Sequence, residues 1–287
     1  TSKIILLSKS ILVFSFSLCT AVEATYSIVA TDAITRQVGG AGATCLPSED
    51  VFNGLYLSAP NRSVLHTQGL LLERNGTIVT TAVEMMEGDE SIDNILTKML
   101  ELDTSYFGRF PTAKLRQYGM TDFNTNSHGG YTGESLQSVY DDVLEVKNTE
   151  QVDLGVDRKD EGADSMVRGR YSYHVQGNVV AEETVTSISD GFLGGEDKGI
   201  PYCDMAARLM AAMYSVVQAG LGDMRCINDH GGVSASGAFL HIDNPDGIEL
   251  IHINIVGDGS FEPVEKVRQE FLAWRASNPC PVGTADE

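Results

Sequence analysis

Thr25 directly follows a segment that has the features of a removable leader. Residues 1–24 contain two lysines near the start and the largely apolar run ILVFSFSLCTAV, and they end in Val22-Glu23-Ala24. A positive start, an apolar centre and a small residue at the cleavage position are the order found in secretory signal peptides. The alternatives are a retained anchor or a buried first strand, but the run is shorter than the roughly 20 apolar residues that span a membrane. We therefore expect cleavage after Ala24 and export of residues 25–287.

Such a cleavage would give Thr25 a free α-amine. A threonine hydroxyl is a weak nucleophile and needs an adjacent base. An α-amine has a reference pKa of about 7.7–8.0, so part of it is neutral near pH 7, and it can take the hydroxyl proton directly or through one water. The alternation in TYSIVATD predicts a strand that would hold this group rigidly. The pattern predicts a nucleophile that carries its own base and still needs an oxyanion donor.

Other catalytic signatures are missing from the sequence. It contains no GxSxG, HExxH or Walker motif, and Gly39-Gly40-x-Gly42 is too short for a dinucleotide loop. The six histidines are scattered without a helix-face pair, and His241 and His252 lie in apolar strand patterns typical of sheet residues. We therefore expect neither a cofactor nor a metal.

The acidic composition argues against two classes of partner, nucleic acids and anionic membranes. The formal net charge is −20, and an acidic surface repels nucleic acid and anionic membranes. We expect neither as a partner once the leader is removed, and a homo-oligomer stays open. Sequons at Asn61 and Asn75 are compatible with glycosylated surface loops of a secreted protein.

Four cysteines remain after Cys19 leaves with the leader, and none forms a CxxC motif. An even number in an exported chain predicts two disulfides with three possible pairings. We favour Cys203–Cys226, because the intervening chain has the pattern of one helix and a short return loop. Cys45–Cys280 would then be the second pair.

The remaining pattern predicts one α+β domain over residues 25–287, with stacked antiparallel sheets and helices outside. Strands are predicted at 25–32, 37–44, 63–72, 115–122, 129–133, 170–180, 236–243 and 247–256. Helices are predicted at 92–102 with Ser91 as its cap, at 203–217 with Gly220 as its stop, and from Pro263 onward. Residues 134–169 are charged and lack a sustained period, so we expect a surface insertion that is partly helical near SVYDDVLEV.

Several motifs occur in an order that resembles the DUF1028 proteins of the Ntn (N-terminal nucleophile) hydrolase superfamily. They are TYSIVATD (25–32), VGGAG (38–42), HTQ (66–68), RQYG (116–119), YTG (131–133), VQGN (175–178), Cys203-Asp204, GDxRC (222–226), SGAF (236–239) and WRA (274–276) before Pro279-Cys280. The resemblance implies a four-layer αββα sandwich with Thr25 at the start of a central strand. It also implies a threonine nucleophile exposed by processing, whereas it assigns no substrate. The 134–169 insertion and the cysteines depart from the shorter members.

The resulting hypothesis is an exported amidohydrolase acting on a small-molecule or peptide amide. Thr25 would be the nucleophile, and Asn178 or Gln176 would contact the oxyanion or the substrate amide. Asp32 would orient the terminus or brace the first turn, and Gln68 and Thr44 would line the cleft. The amides could instead satisfy buried backbone groups, and the alternative function is a secreted binding or surface-interaction module on the same scaffold.

Overall fold

The computed structural model describes residues 25–46, 51–70, 72, 74–103, 112–125, 127–133, 152–156, 170–181, 183–194 and 202–280. The predicted leader and the predicted helix near 138–146 lie outside these residues. In the part of the chain that the structure describes, no helix is both long and apolar enough to cross a membrane.

The larger of two antiparallel sheets has six strands with β1 near its centre. Its strands are β1 (Thr25–Asp32), β2 (Val38–Thr44), β7 (Val152–Val156), β8 (Tyr171–Asn178), β9 (Gly237–Asp243) and β10 (Glu249–Val256). Their order is β10-β9-β2-β1-β8-β7. The register places Thr25 opposite Thr44 on one side and opposite Asn178 on the other. The first residue of β1 is therefore held by strands on both sides.

The smaller sheet has four strands in the order β3-β4-β5-β6. They are β3 (Tyr56–Ala59), β4 (Ser63–Gly69), β5 (Arg116–Asp122) and β6 (Ser127–Thr132). Hydrogen bonds from Gln68 on β4 to Ser27 on β1, and from Gln117 on β5 to the Gly177 carbonyl on β8, join the two sheets face to face.

Helices cover the outer faces of both sheets. The helices are α1 (Val51–Leu55), α2 (Thr77–Glu87), α3 (Ile92–Leu102), α4 (Thr184–Leu193), α5 (Met205–Ala219), α6 (Met224–Asp229) and α7 (Pro263–Ser277), with a 3₁₀ turn at Thr112–Leu115. Helices α4, α5 and α7 pack on the six-stranded sheet, and α2 and α3 pack on the four-stranded sheet. This confirms the predicted sandwich of two sheets between helical layers.

Local sequence signals explain where the helices begin and end. The Ser91 side chain accepts a hydrogen bond from the Asn94 amide at the start of α3, and Asp204 does the same for Ala207 at the start of α5. Gly220 ends α5 in the left-handed conformation, with φ of 68°, which glycine adopts without steric cost. The predicted cap at Ser91 and the predicted stop at Gly220 are confirmed.

Strand alternation separates apolar from polar side chains. On β1, Tyr26, Ile28 and Ala30 belong to the apolar core under the helices, so Thr25 and Ser27 face the opposite sheet. We call the side chains between the sheets the middle layer. Its members used below are Thr25, Ser27, His66, Gln68, Gln117, His174, Gln176 and Asn178, all of them buried.

The disulfide prediction was wrong. The bonds are Cys45–Cys226 and Cys203–Cys280, with Cα separations of 5.5 and 5.7 Å. Helix α5 has 15 residues and is therefore about 22 Å long, so it holds Cys203 and Cys226 apart where a disulfide needs its Cα atoms about 4.4–6.8 Å apart.

The predicted insertion at 134–169 contains part of the sheet. Its described residues, Val152–Val156, form β7, which pairs with β8 at the edge of the six-stranded sheet. An edge strand pairs on one side only, so its alternation of polar and apolar residues is weaker than that of a central strand. The many charged residues around it in the sequence make this alternation harder to detect.

Replacing Gly40 by alanine is expected to destabilise the sandwich. A Cβ there would overlap the buried His66 imidazole and come 3.0 Å from the Ile28 carbonyl oxygen. Overpacking of this kind typically costs about 1–3 kcal/mol. Denaturant unfolding measures the loss, and Gly88→Ala, at an exposed helix end with φ of −90°, is the matched control. Equal midpoints for the two variants would contradict the tight approach of the sheets at Gly40.

Candidate functional site

Thr25 lies at the end of the middle layer, between two polar neighbours. Its hydroxyl donates a hydrogen bond to the Thr44 hydroxyl at 3.2 Å. Directly opposed residues of antiparallel strands have Cβ atoms about 4.5–5.5 Å apart, which places the Asn178 side chain beside Thr25 on the other flank. Thr25 is 1% exposed in the uncleaved chain, where its nitrogen is a peptide amide.

A chain of side-chain amides behind Thr25 has its orientation fixed at one end. Gln117 Nε2 donates to the Gly177 carbonyl, and because a carbonyl only accepts, Gln117 Oε1 must be the atom that faces Asn178. Asn178 Nδ2 then donates to Gln117 Oε1 and to Gln68 Oε1, each at 3.2 Å. Gln68 Nε2 is left to donate to Ser27 Oγ. One backbone carbonyl therefore decides which way each amide points.

This orientation sets the chemistry that Asn178 offers. Both of its N–H groups are engaged, so in this arrangement it has no donor left for an oxyanion. Its Oδ1 is buried and accepts no hydrogen bond from any residue that the structure describes. Asn178 thus presents an acceptor next to Thr25, and the donor role considered from the sequence does not fit it.

Gln176 lies one residue pair further along the same face, opposite Ser27. Its Nε2 donates one long hydrogen bond, 3.5 Å, to the His66 carbonyl. Its Oε1 has no donor among the described residues. Gly119 leaves room for this amide, since a Cβ there would lie 2.7 Å from Gln176 Oε1. Of the two predicted amides, Gln176 is the one that keeps an N–H free to turn toward a ligand.

Asp32 lies at the opposite end of β1 from Thr25, about 24 Å away for seven residues of strand. Its carboxylate accepts hydrogen bonds from the Ile34 amide and the Thr35 hydroxyl and forms an ion pair with Arg170 at 2.6 Å. The role of orienting the terminus is excluded by this distance. Asp32 braces the first turn, which was the other role considered.

The two predicted sequons lie in the loops expected for them. Asn61 is half-buried in the β3–β4 turn, where its side chain accepts a hydrogen bond from Arg36, and Asn75 is exposed before α2.

Comparison with solved structures agrees with the resemblance found in the sequence. A crystal structure of a Silicibacter pomeroyi protein described as DUF1028 matches with a TM-score of 0.58 and 17% sequence identity, over 88% of this chain and 89% of that one. The chain has the DUF1028 fold. Neither the family-model comparison nor the comparison with curated proteins gave a match.

Two residues of this DUF1028 fold contribute to the site without having been assigned a role from the sequence. Gln117 anchors the amide chain, and its inward position follows from the alternation in RQYGMTD. Asp223 is fully buried and accepts a hydrogen bond from the Cys45 amide, one residue beyond Thr44. Burial raises the pKa of the Asp223 carboxyl, an effect that Arg225 partly offsets. With the Cys45–Cys226 disulfide, Asp223 fixes the end of β2 beside Thr25.

His66 makes the middle layer sensitive to acid. Burial, followed by the nearby His174 and His241, lowers its pKa from 6.5 to about 3. Neither of its ring nitrogens has a hydrogen-bond partner among the described residues. The native state therefore keeps His66 neutral at pH values where the unfolded chain protonates it.

Stability should fall as the pH drops below 6.5, because the unfolded state then binds a proton that native His66 does not. The His66 contribution has a slope of up to about 1.4 kcal/mol per pH unit, and it is fully present above pH 6.5. Unfolding free energies measured from pH 7 to pH 4 should show a smaller slope for His66→Leu than for the wild type. The half-buried His230 supplies the control, His230→Gln. Parallel curves for wild type and His66→Leu would contradict the neutral, buried state.

Proposed function

We propose that the chain is the precursor of an exported Ntn-type amidohydrolase whose nucleophile is Thr25. The observation that carries the proposal is the position of Thr25 at the head of a central strand, between the Thr44 hydroxyl and the side chain of Asn178. The Oδ1 of Asn178 is an acceptor without a donor among the described residues. A terminal amine supplies donors that a peptide amide in the sheet does not. Cleavage after Ala24 would create that amine on the residue beside this acceptor.

The proposed roles follow the polarity of each group. Asn178 Oδ1 would accept a hydrogen bond from the Thr25 amine and direct its lone pair toward the Thr25 hydroxyl. Gln176, with an N–H still available, would contact the oxyanion or the substrate amide. Gln68 would hold Asn178 in place, and Thr44 would orient the Thr25 hydroxyl.

In the proposed reaction, the Thr25 oxygen attacks the amide carbonyl carbon of the substrate while the hydroxyl proton passes to the α-amine. Breakage of the carbon–nitrogen bond releases an amine that takes this proton, and an ester remains on Thr25. Water then attacks the ester carbonyl and gives a proton to the Thr25 oxygen through the α-amine. The bond between the acyl carbon and the Thr25 oxygen breaks, and the carboxylic acid leaves. No other reactant is needed.

Export is supported by two disulfides that tie distant parts of the chain. Such bonds persist in oxidising compartments. The acidic composition is compatible with a freely dissolved extracellular protein.

Labelling with a β-lactone tests the nucleophile. Protein that begins at Thr25 should gain one adduct on Thr25 in intact-mass and peptide mass spectrometry. Protein that begins at Ala24 is the matched control: it differs by one residue, its Thr25 nitrogen is an amide, and it should remain unlabelled. Thr25→Val, which lacks the hydroxyl, should also remain unlabelled.

The labelling outcomes also separate the alternative function. Thr25 is 1% exposed in the uncleaved chain, which favours a binding module if the burial persists after cleavage. Equal absence of label in both forms, with unchanged thermal unfolding, would overturn the hydrolase proposal in favour of that module. Mass spectrometry of the secreted protein adds a second check, because a natural terminus other than Thr25 removes the base.

A further inference from the structure

Strand pairing brings together two histidines that are eleven positions apart in the sequence. His241 on β9 lies directly opposite His252 on β10, and their Nδ1 atoms are 2.9 Å apart. The carboxylate of Glu249 completes a group whose ligand atoms all lie within 4.8 Å of one another. Helix-face spacing, the criterion applied to the sequence, does not detect a group assembled across a strand pair.

A bulge places Glu249 on the histidine face. In a regular strand, residues three positions apart point to opposite faces, so Glu249 and His252 would diverge. The β9–β10 register shifts between Glu249 and Ile251, and a bulge of this kind re-aims a side chain. The shift accounts for the convergence of Glu249 with the two imidazoles.

The tautomer of His241 is set by a buried carboxylate. Asp243 Oδ1 lies 2.9 Å from His241 Nε2, while Asp243 Oδ2 accepts hydrogen bonds from the Tyr56 hydroxyl at 2.9 Å and the Ser58 hydroxyl at 2.7 Å. An ionised carboxylate only accepts, so the His241 Nε2 carries the proton. The Nδ1 of a neutral His241 then carries a lone pair, which accepts a hydrogen bond from His252 Nδ1 in the metal-free chain. Histidines that bind a metal usually donate their other ring N–H to a carboxylate in this way, and the carboxylate orients the ring.

We propose that His241, His252 and Glu249 form a binding site for a divalent transition-metal ion, Zn²⁺ in particular. Two imidazole nitrogens and one carboxylate are ligands that Zn²⁺ takes, with water as a fourth. Nitrogens bound to one tetrahedral Zn²⁺ lie about 3.3 Å apart at bond lengths of about 2.0–2.1 Å. The Nδ1 atoms of His241 and His252, which are 2.9 Å apart, therefore have to move only slightly further apart to bind one ion.

Access and rigidity also suit a metal site. His252 and Glu249 are exposed, His241 is buried, and β10 is the edge strand of its sheet, so an ion reaches the site from solvent. The Phe52 ring lies against both imidazoles, with centroid distances of 4.6 and 4.5 Å, and limits their rotation. The other Cys/His group among the described residues, Cys45, Cys226 and His230, has both sulfurs in a disulfide.

The site is independent of the proposed hydrolase chemistry. His241 is four residues along β9 from Gly237, which is in register with Thr44 beside Thr25, so the two sites are more than about 13 Å apart. Metal binding is therefore measured without any assay of activity.

Calorimetric titration of EDTA-treated, dialysed protein with Zn²⁺ tests the site. The wild type should bind one equivalent of Zn²⁺. His252→Gln and Glu249→Gln should each weaken binding by at least about tenfold, because losing a residue that only orients a ligand already has an effect of that size. Both residues are exposed, so the variants should fold, which thermal unfolding checks. His230→Gln and Glu270→Gln, at positions outside the site, should bind as the wild type does.

Co²⁺ provides a second readout in the same samples. A four-coordinate Co²⁺ complex should give visible absorption bands in the wild type, and His252→Gln should lose them. Ca²⁺, which prefers oxygen ligands, should not displace the Co²⁺. Equal Zn²⁺ binding by wild type, His252→Gln and Glu249→Gln, or displacement of the metal by Ca²⁺, would overturn the proposal.

Discussion

The organising constraint of this fold is that polar side chains, from Thr25 to His66 and His174, fill much of the space between its two sheets. Buried amides must be hydrogen-bonded, and each amide must point the correct way because its two ends differ. Here the Gly177 carbonyl fixes Gln117, Gln117 fixes Asn178, and Asn178 fixes Gln68. The chain of constraints ends with an acceptor, Asn178 Oδ1, beside Thr25. A local requirement for satisfied hydrogen bonds thus determines what the candidate site offers.

Placing polar groups in the middle moves the apolar cores outward. In sandwiches of two sheets, the inner faces usually supply the apolar core. In this chain the larger apolar core lies between the six-stranded sheet and its helices, and a second one lies between the four-stranded sheet and α2 and α3. A smaller third cluster, which includes Val29, Val64 and Phe239, lies between the sheets. The two sheets approach closely at Gly40, Gly119 and Gly130, where a Cβ would overlap His66 or His174. The two outer cores hold the sheets in register, so the polar middle layer does not have to supply the main apolar core.

Sequence reasoning succeeded where the signal was local. The alternation in TYSIVATD, the cap at Ser91 and the stop at Gly220 each depend on a few adjacent residues, and the structure confirms them. It failed where the answer depends on distance through space. The pairing of Cys203 required the length and direction of α5, and β7 required knowledge of its neighbour β8.

In the candidate site, too, the sequence predicts what depends on neighbouring residues and not what depends on distances through space. Alternation along each strand places Thr25, Gln68 and Gln176 on inward faces, and this much is readable from the sequence. That Asp32 is out of reach of Thr25 also follows once both are assigned to one strand. The direction of the Asn178 amide does not follow, because it is fixed by Gln117 on the opposite sheet, whose own amide is oriented by the Gly177 carbonyl. Residue types therefore suggested donors, whereas the hydrogen-bond network leaves an acceptor.

The strand pairing around Thr25 would allow a precursor to fold before it is active. The pairing of Thr25 with Thr44 and Asn178 uses strand register and side chains, none of which depends on a free amine. In the proposed mature enzyme, the same nitrogen changes from amide to amine without any rearrangement of β1. Burial favours the uncharged form of an amine, and the uncharged form is the one that accepts the hydroxyl proton. A single cleavage would thus supply the base, and the preformed middle layer would hold it in its reactive form.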